Sequence, residues 1–156
     1  MSGAAIHILL VEDNPDHAEL LRRNLESFPL PICLHHVEDG EAALDYIFGR
    51  NHFASRSQFP PPDVILLDLR LPRVDGMDIL KLVKNHPETR QLPVVVLTTS
   101  DAERDVAEAI ECRADKFLTK PVDSQTLLQI LLGLGFDPVN GVRLGQRGES
   151  VKPARA

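Results

Sequence analysis

Three short runs, Ile8-Leu9-Leu10-Val11, Val64-Ile65-Leu66-Leu67 and Val94-Val95-Val96-Leu97, are apolar without a polar break and rich in β-branched residues. A strand with one wet face alternates apolar and polar side chains. An unbroken run instead predicts a strand buried on both faces, as in a parallel sheet covered by helices. Such a sheet needs a crossover between successive strands, and right-handed helical crossovers are the rule. The segments between the runs have the pattern to supply them, so the chain reads as five repeats of strand then helix, an α/β fold.

Ile6 to Val11 is the first strand. Asn14 is placed to cap the helix that follows, and Pro15 sits in its first turn, where a missing N–H costs nothing. On that helix Ala18, Leu21, Leu25 and Phe28 share one face at about 100° per residue, whereas Leu20 points away and is expected on the surface. Ile32 to Val37 is a less apolar second strand, and a helix from Gly40 to Phe48 is expected to stop at Gly49 in a left-handed conformation. Gly49 to Pro62 is a polar connection of 14 residues. That is longer than the roughly 2 to 6 residues usual between helix and strand, and it reads as a functional loop or an exposed insertion. Further along, Val64 to Asp68, Pro93 to Thr98 and Lys116 to Thr119 read as strands, and Asp75 to Asn85, Ala102 to Arg113 and Ser124 to Leu134 as helices. On the last helix Leu127, Ile130, Leu131 and Leu134 can face the sheet, while Leu128 and Leu132 fall outside that stripe and need another surface.

The chain has 156 residues, 43% of them apolar, which suits one domain with its own core. Its 23 acidic and 17 basic residues give a formal net charge of −6, which argues against a nucleic-acid partner. No apolar run approaches the roughly 20 residues of a membrane span, and no basic leader precedes one, so no membrane association is expected and the cytoplasm is the default compartment. Cys33 and Cys112 suggest neither a disulfide framework nor a zinc site. His7, His17, His35, His36, His52 and His86 read as scattered or strand-edge residues.

In an open parallel sheet the ligand crevice lies beyond the carboxyl ends of the strands. Glu12 and Asp13 follow the first strand, Asp68 and Thr98 close two others, and Lys120 follows the last, so all five can face one cleft. Two carboxylates about 4 Å apart repel by roughly 4 kcal/mol at an effective dielectric of 20, so a group of three calls for a cation. Oxygen ligands suit a hard ion such as Mg²⁺, and Lys120 adds a mobile positive charge. Together they make a site for Mg²⁺ and a phosphoryl group.

Glu12-Asp13, Asp68 with Pro72 and Gly76, Thr98 closing its apolar run, and Phe117 followed by Lys120-Pro121 occur in this order over about residues 6 to 134. This arrangement resembles the receiver domain of two-component response regulators. The resemblance implies a flavodoxin-like, doubly wound (βα)5 fold with strand order 2-1-3-4-5. It implies that Asp68 accepts the phosphoryl group, that Asp13, Asp68 and the Arg70 carbonyl hold Mg²⁺, and that Glu12 helps through water. Lys120 then pairs with Asp68 and later with the phosphoryl group, Thr98 and Phe117 form the switch, and Pro121 follows a cis bond. Arg113, where receivers often carry glycine, and Thr99, where a smaller residue would leave more room, depart from the pattern.

The Val94 to Ser100 segment and the long connection before the third strand resemble receivers that serve bacterial phytochromes. That implies a sensor histidine kinase partner, of the bacteriophytochrome type. Leu128 and Leu132, left outside the stripe of the last helix, are expected to anchor a homodimer through the fourth helix, fifth strand and fifth helix, the alternative being that the segment Phe136 to Val142 folds back over them. Residues 1–134 are expected to form the receiver and 135–156 a C-terminal tail with no output domain. A haloacid-dehalogenase reading fails at Arg70, where that chemistry needs a second acid, and a dinucleotide site would need a glycine-rich loop where Glu12-Asp13-Asn14-Pro15 stands. A pseudo-receiver acting as a binding module without phosphorylation remains the alternative.

Overall fold

The computed structural model describes residues 5–71, 73–98 and 103–137, the last stretch without the side chains of residues 103–105. Five parallel strands, β1 (Ile6–Val11), β2 (Ile32–Val37), β3 (Val64–Asp68), β4 (Val94–Thr98) and β5 (Lys116–Thr119), form one sheet in the order β2-β1-β3-β4-β5. The helices between and after them are α1 (Pro15–Asn24), α2 (Gly40–Phe48), α3 (Gly76–Asn85), α4 (Glu103–Glu111) and α5 (Ser124–Gly133). The unbroken apolar runs are fully buried in β3 and β4, and alternate residues feed two cores. Leu9, Val11, Ile65, Leu67, Val94 and Val96 pack against Tyr46 and Ile47 of α2, Ile79, Leu80 and Val83 of α3 and Ala109 of α4. Ile6, Ile8, Leu10, Val64, Leu66 and Val95 pack against Ala18 and Leu21 of α1 and Leu127 and Leu131 of α5. The chain is therefore doubly wound, with its strand ends brought to one edge. Among the described residues no helix is long and apolar enough to cross a membrane.

Local signals set the helix ends. Asn14 accepts from the N–H groups of Asp16 and His17, Asp39 from Ala42, Asp75 from Met77 and Asp123 from Thr126. Each thus satisfies N–H groups that a helix start leaves orphaned. Asp75 is a cap and not a helical residue, Pro93 lies outside β4, and α4 and α5 stop at Glu111 and Gly133, so the expected ends shift by a residue or two. Gly49 takes the left-handed conformation expected of it, with φ 66°. Arg113 does the same at φ 71° without being a glycine. Its guanidinium donates to the Lys84 carbonyl and to Asn85 Oδ1, both at 3.1 Å, which holds the bulky residue in that turn.

The 49–62 connection is largely exposed, as an insertion would be, but it is anchored to α2 through the half-buried Phe53, Arg56 and Phe59. A 3₁₀ turn at Asn51–Phe53 brings Phe53 and Phe59 against the ring of Tyr46, with centroids 5.0 and 6.0 Å away. Arg56 reaches back to donate to the carbonyls of Tyr46 (3.0 Å), Ile47 (2.9 Å) and Phe59 (3.1 Å). It thereby gives a donor to the Ile47 carbonyl at the end of α2 and a second one to that of Tyr46, which also accepts from Gly49 N. Lys84, buried to 5% exposure, donates to Asp115 Oδ2 and to the carbonyls of Leu92 and Arg90, and Asp115 Oδ2 also accepts from Val94 N, so α3 is tied to the start of β4. On α5, Leu128 packs on the core, Leu132 is half-buried, and Phe136 folds back to 3% exposure with its N–H on the Leu131 carbonyl. The two leucines outside the sheet-facing stripe are therefore partly covered within the chain.

Candidate functional site

The carboxyl ends of β1, β3, β4 and β5 meet in one cleft lined by Glu12, Asp13, Asn14, His17, Asp68, Arg70, Thr98 and Lys120. Each strand delivers its residue at or just past its last buried position. Glu12 N donates to the Val37 carbonyl, Asp68 pairs in register with Leu97, and Lys120 N donates to the Thr98 carbonyl at 2.8 Å. Glu12, Asp68 and Thr98 are only 2%, 7% and 8% exposed, whereas Asp13 is exposed at the mouth.

Lys120 Nζ lies 2.8 Å from Glu12 Oε1 and 2.9 Å from Asp68 Oδ2, bridging the two buried carboxylates. The remaining oxygens face main-chain donors, Asp68 Oδ1 from Arg70 N at 2.9 Å and Glu12 Oε2 from Asn14 N at 3.1 Å. His17 Nδ1 stands 3.7 Å from Glu12 Oε2, and His36 Nε2 is 2.7 Å from the Glu12 carbonyl. Burial alone would lower the Lys120 pKa, but its hydrogen bonds to Glu12 and Asp68 and their charges outweigh it, and the net direction is upward. Lys120 is therefore an ammonium at neutral pH. This preference stabilises the fold below the ordinary lysine range and is lost only as pH rises through the raised value in strong alkali.

Carboxylate oxygens of Glu12, Asp13 and Asp68 lie within 4.8 Å of one another. One ammonium against three carboxylates leaves the site net negative. An all-oxygen donor set of this kind fits a hard divalent ion that keeps part of its water shell. The lysine lies on the Glu12 and Asp68 side, so the exposed Asp13 carboxylate and the mouth are where such an ion has access. The fold thus brings Glu12, Asp13, Asp68, Thr98 and Lys120 together. Arg70 projects at the rim, and the Lys120–Pro121 peptide is cis. Phe117 stands apart, half-buried on β5 against the α2–α3–α4 core. Thr99 and Pro72 lie outside the described residues. Nothing in the motifs points to His17 and His36 beside Glu12. A signal was available, since His36 precedes the last residue of β2 by one and so sits at the same sheet edge as Glu12.

Residues 8–132 match the model of the response regulator receiver domain. The chain is 41% identical over 120 residues to the probable methanogenesis regulatory protein FilR2 of Methanothrix harundinacea, covering 77% of this chain and 75% of that protein. It is 35% identical over 127 residues to response regulator Rcp1 of Synechocystis sp., covering 81% and 84% respectively. The Mn²⁺-bound form of Rcp1 superposes with a TM-score of 0.68 at 34% identity, over 82% of this chain and 90% of that one. The phosphorylated cyanobacterial phytochrome response regulator RcpA superposes with a TM-score of 0.70 at 35% identity, over 83% and 91%.

Proposed function

Because the chain belongs to the response regulator receiver domain family and signals through phosphorylation, we propose that it is a cytoplasmic, stand-alone regulator that takes its phosphoryl group on Asp68 from a sensor histidine kinase of the bacteriophytochrome type. The observation that carries the assignment is Lys120 Nζ held between Glu12 Oε1 and Asp68 Oδ2, with Asp13 alongside at the open mouth. An Asp68 carboxylate oxygen attacks the phosphorus of a phosphohistidine, the P–N bond breaks, the imidazole leaves, and an acyl phosphate forms. Lys120 leaves the carboxylate for a phosphoryl oxygen and balances its charge, and the main-chain N–H of Arg70 orients the other carboxylate oxygen. The carboxylates of Asp13 and Asp68 and the Arg70 carbonyl, with Glu12 in support, would hold Mg²⁺, which would supply further charge neutralisation. The Thr98 hydroxyl then closes on the phosphoryl group and Phe117 moves inward, which changes the face formed by α4, β5 and α5. Water later cleaves the acyl phosphate in the same site and resets the protein. Incubation with acetyl phosphate and Mg²⁺, or with a panel of phosphorylated kinases, is expected to add one phosphoryl group per chain by intact mass. A chain that takes none from any donor would sink the assignment.

A kinase contact is proposed at Leu20, supported by its 46% exposure and its place on a groove with His17, Pro121 and Val122 at the edge of the cleft. Burying a leucine contributes roughly 1.5 to 3 kcal/mol, so Leu20→Glu should slow transfer from the kinase about tenfold or more. Labelling by acetyl phosphate should be unchanged. Equal loss with both donors would mean that the cleft itself was damaged.

The same face that switches is proposed to form a homodimer. Ile110 on α4 is 58% exposed, and Leu132 on α5 is half-buried nearby in sequence order to the closing Phe136. Because Leu128 also serves the core, the double variant Ile110→Glu with Leu132→Glu is the cleaner test. Light scattering across a dilution series should show a dimer at tens of micromolar, roughly, for the parent and a monomer for the variant. A monomeric parent, with or without phosphoryl label, refutes the dimer.

A further inference from the structure

His7 on β1 pairs in register with Cys33 on β2, and His35 follows Cys33 by two residues, so all three side chains emerge on the face of the sheet that α2 covers. His7 Nδ1 and His35 Nε2 are 3.1 Å apart, the rings stack with centroids 5.3 Å apart, and one ligand atom from each of His7, Cys33 and His35 lies within 4.8 Å of the others. All three residues are half-buried. Two imidazole nitrogens bound to one tetrahedral zinc ion lie about 3.3 Å apart, and a nitrogen and a thiolate about 3.6 Å, from bond lengths of about 2.0–2.1 and 2.3 Å. The histidine pair is already close to that spacing at 3.1 Å, and the thiol sulfur lies within 4.8 Å of both rings' ligand atoms.

From this juxtaposition we propose that His7, Cys33 and His35 form a second metal site, selective for a borderline transition ion of the Zn²⁺ class, with water as the fourth ligand. Two imidazoles and a thiolate are the donor set such an ion prefers, and they offer no oxygen to Mg²⁺, so the two sites are chemically separate. They are also apart in space: His7 precedes Glu12 by five residues of extended chain, about 16 Å. Binding replaces the thiol proton of Cys33, which leaves to solvent, with the metal–sulfur bond.

The surroundings favour ligation. The His7 main chain is pinned by both groups of Asp63, whose N–H donates to the His7 carbonyl at 2.7 Å and whose Oδ2 accepts from His7 N at 2.8 Å. The Tyr46 ring lies 5.4 Å from that of His35 and roofs the cluster. Its hydroxyl donates to the Pro60 carbonyl, and burial pushes its pKa up to about 12, so it stays a phenol and does not compete as a ligand. A bound ion would fasten the edge strand β2 to β1 beneath α2.

The test uses the full chain without a histidine tag, with Mg²⁺ in excess, titrated with Co²⁺ and then with Zn²⁺. One Co²⁺ per chain should bind with a thiolate-to-cobalt charge-transfer band that Zn²⁺ removes. Zn²⁺ at a hundredfold excess over its Kd should raise Tm by about 5 to 10 °C. Cys33→Ser should abolish the band, and His35→Gln should weaken Co²⁺ binding at least as much as loss of a supporting group does, about 10- to 100-fold. Cys112→Ser should change nothing. Absence of the band, its survival in Cys33→Ser, or one-for-one displacement of Co²⁺ by Mg²⁺ would each overturn the proposal and leave the 3.1 Å contact as a hydrogen bond between neutral imidazoles. If Cys33→Ser does not fold, His35→Gln decides the matter, because it keeps the thiol and removes one nitrogen. None of these outcomes bears on labelling of Asp68, which is measured separately.

Discussion

Asp68→Asn is expected to remove all phosphoryl labelling by acetyl phosphate and Mg²⁺ while the protein stays folded. The amide keeps the size of the carboxylate, and its oxygen can still accept from Arg70 N, but it cannot attack phosphorus to give an acyl phosphate. Its other end turns an N–H toward Lys120, which keeps Glu12 as its partner at 2.8 Å. Removing one of two buried carboxylates also relieves their repulsion, which offsets the lost pairing to Lys120. Tm should therefore stay within a few degrees of the parent or rise, as measured by thermal unfolding beside the mass assay. Labelling of the variant at the parent's rate would show that another residue is the acceptor.

Gly76→Ala should destabilise the fold strongly for a single added methyl. A Cβ at position 76 would stand 2.5 Å from Leu69 Cα and 2.6 Å from the Asp68 carbonyl oxygen, both backbone atoms that cannot swing aside. The backbone of Gly76 is not left-handed, so the cost is one of space. α3 must lift away from the end of β3, at about 3 kcal/mol or more, set against roughly 1 kcal/mol of helix propensity gained. For a domain of this size the net of about 2 kcal/mol or more lowers Tm by about 4 to 8 °C or more. Because the clash falls on Asp68 itself, labelling by acetyl phosphate should also slow. A variant with unchanged Tm would mean that the approach of α3 to β3 is looser than the distances state.

The strands were legible because burial on both faces leaves an unmistakable mark, the apolar run without a polar break, and the start of α1 was legible because its cap, Asn14, acts on its immediate neighbours. The grouping of Glu12, Asp68 and Lys120 was legible for a related reason: a parallel sheet sends the ends of its strands to one edge, so position in the repeat stands in for position in space. What the sequence concealed depends on partners far along the chain. Lys84 reads as one more solvated charge on α3 until Asp115 and the carbonyls of Arg90 and Leu92 are placed around it. Arg113 looks unsuited to a left-handed turn until Lys84 and Asn85 accept its guanidinium protons. His7 and Cys33 lie 26 residues apart and become neighbours only through the register of β1 on β2. The spacing Cys33-x-His35 within one strand was the only local hint.

The Arg56 strap makes residues 46–62 a single transferable part. A chimera that replaced the long α2–β3 connection with a shorter one from another receiver would take away the guanidinium and with it the donor to the Ile47 carbonyl. It would also uncover the Tyr46 ring, whose hydroxyl is anchored on Pro60 within the same segment. Anyone grafting sensors or outputs onto this scaffold should therefore cut before α2 or after Pro62, and treat the intervening stretch as cargo that travels whole.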